Sequence, residues 1–173
     1  LMGIANMYMF KKDYKNARDY YVKAAKKDKN NREALINASL CYKMLGMTDK
    51  SVEYANKALN RENVSPKVYY TASKIDEIKN IQYLKKTVSL DPMFLDAWLD
   101  LAEIAIKNNR LELARTYLKP VKYVNSNNYR YYYYVGLINK QSGNKEAADL
   151  NFKKSLELNP FFDEASKELN SQL

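Results

Sequence analysis

FLDAWLDLAEIAIKNNRLELARTYLKPVKYVNSN, from Phe94 to Asn127, runs without a gap into NYRYYYYVGLINKQSGNKEAADLNFKKSLELNPF, from Asn128 to Phe161. At a shift of 34 positions the two agree where side-chain size matters: Trp98 falls on Tyr132, Leu101 on Val135, Ala102 on Gly136, Ala114 on Ala148, Leu118 on Phe152 and Val124 on Leu158. Within each segment the apolar residues recur at the three- and four-residue spacing of a helix face. A fixed period of this length is the signature of a repeat architecture in which each unit is one supersecondary element.

The same shift works elsewhere. Tyr8 meets Tyr42, Ala17 meets Ser51 and Ala24 meets Ala58, while Pro92 and Pro160 lie 68 residues apart, twice the period. Ser51 and Ala114 are only 63 apart, so the unit between them has lost about five residues. One two-helix unit cannot bury its own apolar stripe, and stacking on neighbours does it instead. Small residues such as Ala5, Ala102 and Gly136 let paired helices approach. Large ones such as Trp98, Tyr132 and Phe152 fill the space to the next unit. Proline cannot continue a helix and closes the second one.

This pattern resembles the tetratricopeptide repeat (TPR) family, in which an aromatic, a Leu-Gly pair and a Tyr mark the first helix, and Ala, an aromatic, Ala and a closing Pro mark the second. Tyr132, Val135, Gly136, Ala148, Phe152, Ser155 and Pro160 carry it in the last copy, and Ile4, Ala5, Tyr8, Ala17, Tyr21 and Ala24 in the first. The resemblance implies an all-α fold, a right-handed α-solenoid. It is framed as a single domain with repeats at 1–31, 32–65, 66–94, 95–128 and 129–162 and a polar capping helix at 163–173. Repeat three is degenerate, lacking the Gly and much of its first helix, so short helices are expected there. Pro120 falls inside the second helix of repeat four, where it removes one backbone bond and should kink the helix. The chain opens inside a helix, as expected of a fragment of a longer protein.

Composition narrows the function. There is no histidine and a single cysteine, Cys41. That removes the commonest general base, the Ser-His and Cys-His pairs and most zinc sites. No glycine-rich phosphate loop is present. A catalytic role and a cofactor are therefore not expected. No stretch reaches the ~18 apolar residues of a membrane span, and Leu1 to Phe10 do not read as a signal peptide. Cytoplasm and periplasm both stay open. The net charge of +9 suits an acidic partner or nucleic acid, or simply lysines on solvated helix faces.

The resemblance also implies that the first helix of each repeat lines a concave groove that holds a protein or peptide. Carried onto this chain, the groove would present Asn6, Asn37 and Leu40 from the first two repeats, and Lys67, Tyr70 and Lys74 from the third. Repeat four would add Asp96, Leu99, Asp100 and Glu103, and repeat five Arg130, Tyr133, Leu137 and Lys140. Asn6, Asn37 and Lys67 stand where chaperone-binding members clamp a C-terminal carboxylate, although Met2 and Thr71 replace the other two clamp residues. Asp96, Asp100 and Glu103 lie at helical spacing on one face. They suit a Lys or Arg of the partner, or a divalent cation. In the run Tyr131 to Tyr134, Tyr132 takes the core place, while Tyr133 and Tyr134 look into or beside the groove. Tyr70, Leu99, Tyr133 and Leu137 would then form an apolar floor. Two alternatives remain: self-association through an apolar end at Leu1, Ile4 and Met7, and an RNA-binding helical repeat. The second is disfavoured because the tyrosines sit at core places rather than exposed among the lysines.

Overall fold

The computed structural model describes residues 1–60 and 63–170. Among them every regular element is a helix: α1 (Met2–Phe10), α2 (Tyr14–Lys27), α3 (Arg32–Met44), α4 (Thr48–Leu59), α5 (Pro66–Ser73), α6 (Asn80–Leu90), α7 (Leu95–Lys107), α8 (Leu111–Val124), α9 (Tyr129–Gln141), α10 (Lys145–Leu158) and α11 (Asp163–Asn170). These are five helix-turn-helix repeats and one further helix, the expected all-α solenoid class. The last three positions of the expected capping helix lie outside the described residues. The helices group into two compact units, Leu1–Asp91 and Pro92–Leu173, where the sequence reading has a single domain. The break falls in the last residues of the degenerate third repeat.

Local chemistry sets the helix boundaries. Asp13 and Asn144 each cap the second helix of a repeat by accepting from the amides of Asn16 and Ala147. Asn31 and Asn128 do the same for first helices, at the amides of Ala34 and Tyr131. Each cap satisfies an amide that has no partner inside the helix. The link between paired helices is equally regular. Lys12, Gly46, Asn109 and Gly143 all have positive φ, between 54° and 79°. At each, the next amide reaches back five residues: Asp13 to the Tyr8 carbonyl, Met47 to Tyr42, Arg110 to Ala105 and Asn144 to Asn139, at 2.8–2.9 Å. This is the Schellman closure, which uses a left-handed residue to satisfy the last carbonyls. Glycine occupies two of the four positions without strain.

Repeat three turns differently. α5 has eight residues and starts on Pro66. The turn after it is held by Asp76, whose Oδ1 accepts from the amides of Ile78 and Lys79 at 3.0 Å each. An Asx turn thus replaces the left-handed closure. In repeat four, α8 continues through Pro120 to Val124. The proline removes the amide that the Thr116 carbonyl would receive, but it does not end the helix.

Paired helices meet at small residues. Ala5 and Ala17 share one buried cluster, and Ala102 and Ala114 another. In repeat two both places are serine: Ser39 Oγ donates to the Ser51 carbonyl at 2.5 Å and Ser51 Oγ donates to the Ser39 carbonyl at 3.0 Å. Both hydroxyls are thereby satisfied where water is excluded. In repeat five, Gly136 faces the Phe152 ring, and a Cβ there would lie 2.5 Å from Phe152 Cε1. At Gly3 it would meet nothing within 4 Å. Gly136→Ala should therefore lower stability by about 1–3 kcal/mol, the usual cost of overpacking. Gly3→Ala should be neutral or stabilising by up to about 1 kcal/mol, because it only adds helix propensity. Denaturant melts of both variants check this; an unshifted Gly136→Ala melt would contradict the close approach.

Candidate functional site

In the second unit the site is built from α7, α9 and α11. Asp96, Asp100 and Glu103 follow one face of α7 at spacings of four and three. Arg130 and Tyr134 stand one turn apart on α9 and reach back to them. Arg130 Nη1 donates to Asp96 Oδ1 at 3.0 Å, and Nη2 to Asp100 Oδ1 at 3.4 Å. Tyr134 donates to Glu103 Oε2 at 2.9 Å, and Lys107 Nζ donates to Glu103 Oε1 at 2.6 Å. The Arg130 guanidinium also lies over the Tyr134 ring, 5.9 Å from its centre, a favourable place for a cation.

Burial makes these pairs matter. Asp100 is 8% exposed and Tyr134 4%. Desolvation works against the Arg130 charge, but the hydrogen bond to Tyr134 and the carboxylates of Asp100 and Asp96 outweigh it and hold the guanidinium more firmly protonated. Burial likewise tends to raise Glu103, yet the hydrogen bonds from Lys107 and Tyr134 prevail and keep it below the usual carboxylate range. Tyr133 is pushed up to about 12, first by burial and then by the carboxylates of Glu168, Glu164 and Glu103.

Beside this ladder is an open recess of about 280 Å³. Its apolar lining comes from Ile106, Tyr133, Tyr134, Leu137 and Phe162, and its rim from Glu103, Lys107, Arg130 and Glu164. Tyr133 sits between two phenylalanine rings, with centroids 5.1 Å from Phe162 and 6.0 Å from Phe152. A half-buried aromatic floor with charged edges can hold an apolar side chain and orient the polar groups around it.

Of the residues expected here, Glu103, Arg130, Tyr133 and Leu137 come together on the recess. Asp96 and Asp100 stand beside it as partners of Arg130. Lys140 is drawn to Glu168 on α11, at 2.6 Å. Leu99 is a correction: it is 1% exposed and lies in a core cluster with Tyr134 and Ile138, so it offers no surface to a ligand. The tyrosine run needs a second correction. Tyr134, not Tyr132, is the buried member, while Tyr132 is half-buried. Lys107, Phe162 and Glu164 were missed. Glu164 could have been found, since it stands 34 positions after Arg130 and places α11 in the register of another first helix. The three α7 carboxylates are engaged by cations and a hydroxyl. Among the described residues no group of three or more ligating side chains is arranged to hold a metal.

In the first unit the expected residues are largely engaged. Asn6 Oδ1 accepts from the Tyr21 hydroxyl at 2.6 Å. Lys67 lies 3.6 Å from Glu33, and Lys74 covers the Tyr70 ring at 4.8 Å. Asn37, Leu40 and Tyr70 are half-buried, and Leu40 packs against the core. Asn6 and Lys67, two of the three residues that suit the expected carboxylate clamp, therefore hold internal partners. The Glu33–Lys67 pair has a counterpart in the second unit. Like Asp96–Arg130, it joins first-helix residues 34 positions apart, with the acid in the earlier repeat.

The tetratricopeptide repeat family profile matches residues 1–31, 33–64, 81–135 and 129–162. Among solved structures, MamA is 24% identical and aligns over 100% of this chain and 99% of its own, with a TM-score of 0.71. PilW, a type IV pilus biogenesis factor, is 22% identical over 91% of this chain and 75% of its own, at 0.77. YrrB, described as a TPR protein with an unusual peptide-binding site, is 18% identical over 98% and 90%, at 0.68. At these identities the likeness concerns the fold. None of the curated proteins matches the chain.

Arg130→Met should destabilise by about 1.5–3 kcal/mol, because it takes a charged hydrogen-bond donor away from the buried Asp100 carboxylate. Asp96→Ala should cost less than about 1 kcal/mol, since that side chain is 59% exposed and exposed pairs contribute little. Urea titration of the two variants separates them; equal losses would show that Asp100 does not depend on Arg130.

Proposed function

Since the chain belongs to the tetratricopeptide repeat family, whose profile covers most of its length, we propose that it is a non-enzymatic interaction module that holds a protein or peptide against its first helices. Helical repeats of this kind bind through extended surfaces rather than a closed active site. The observation that carries this reading is the recess between α7, α9 and α11, an apolar floor left open beside a charged network that is already internally paired. Such a floor contributes through the apolar area that a ligand covers, and a few aromatic anchors dominate the energy of these interfaces. No helix among the described residues is long and apolar enough to cross a membrane.

The test is a selection of random peptides on the intact chain, followed by affinity measurement on variants. Tyr133→Ala should weaken the selected peptides at least tenfold, the loss typical of an interface anchor. Leu150→Ala, on the 68% exposed Leu150 of α10, should change nothing. Peptides indifferent to Tyr133 but lost with Leu150 would move the binding face elsewhere.

A second reading, self-association, draws on α1. Only Ala5 of that helix is buried, while Ile4, Met7 and Phe10 are 42%, 60% and 90% exposed. An apolar surface of this kind favours pairing with another copy. Light scattering across a concentration series should then show a dimer that Met7→Lys returns to monomer; a monomer at every concentration ends this reading.

A further inference from the structure

We infer that the ligand of the second unit carries a lysine or arginine next to an apolar side chain, so that the apolar group seats on Tyr133 and the cation meets Glu164. The inference rests on the binding role proposed above and adds the chemistry of the partner. Three observations support it. First, both cations on the rim are already matched. Arg130 is shared by two carboxylates, and Lys107 is held by Glu103. Glu164 has no ion-pair partner among the described residues, so it is the rim charge left open to a ligand's cation.

Second, the register of Glu164 is one that takes cations. Glu33, Asp96 and Glu164 stand at equivalent places on first helices. Glu33 holds Lys67 and Asp96 holds Arg130, each from 34 positions further along. Third, the carboxylates already act on the floor. Glu168, Glu164 and Glu103 all disfavour ionisation of Tyr133. A cation entering the recess would relieve that field, whereas an acidic group would add to it. A segment with both features gains apolar burial and a charge contact together.

The experiment uses the whole chain and two capped pentapeptides, acetyl-Leu-Lys-Leu-Lys-Leu-amide and its Leu-Glu-Leu-Glu-Leu counterpart, followed by NMR titration at low salt. The basic peptide should shift signals of Tyr133, Leu137 and Phe162 and bind at least fivefold tighter than the acidic one. Glu164→Gln should remove most of that preference and Glu164→Lys should reverse it. Far-ultraviolet circular dichroism confirms that α11 persists in both variants. If the two peptides bind equally, or if the preference survives Glu164→Lys, the charge inference falls while the groove reading stands. If neither peptide shifts these signals, the charge inference falls; if Tyr133→Ala also leaves selected peptides unaffected, the groove reading falls with it. Peptide-independent broadening of the same signals with protein concentration would assign the face to a second copy and overturn the inference.

Discussion

The structure depends on how closely the two helices of one repeat approach. Ala5 with Ala17, Ser39 with Ser51, Ala102 with Ala114 and Gly136 with Ala148 occupy equivalent buried places. At Gly136 no space remains for one more carbon against Phe152. Dispersion falls steeply with separation, so this approach sets how well the larger neighbours pack. Where the places are serine, the same closeness is met by reciprocal hydrogen bonds. Two chemistries therefore satisfy one geometric requirement.

Close pairing leaves the outward face of the first helices free for other uses. In the second unit that face carries a run of interactions from α7 to α9: Asp96 and Asp100 on Arg130, then Glu103 on Tyr134. These contacts lock the two helices together without filling the space beside Tyr133. A pre-ordered edge beside an open apolar floor is what a binding surface needs, because the ordering cost is met before the ligand arrives.

Much of this was legible in the sequence. The 34-residue spacing located the repeats, and the shortened third repeat appears as the eight-residue α5 followed by an Asx turn. Composition gave no hint of which face of α9 is buried. Four consecutive tyrosines fit any register, and only packing decides that Tyr134 enters the core. Leu99 looked like a floor residue because its place on α7 neighbours the groove positions. In the folded chain it belongs to the same cluster as Tyr134. That Arg130 pairs with Asp96 and Asp100 was not legible either, because pairing requires the distance between helices, which spacing along one helix does not give. Read down the repeats at the same place, Glu33, Lys67, Asp96, Arg130 and Glu164 already alternate in sign.

That alternation makes the repeats unequal despite their common shape. An array assembled from interchangeable bricks could lose, gain or shuffle one without penalty. Here, excising the repeat that carries Arg130 would bring Glu164 into the place opposite Asp96, setting two carboxylates against each other beside the buried Asp100. The order of the repeats is thus recorded in their charges as well as in their shapes.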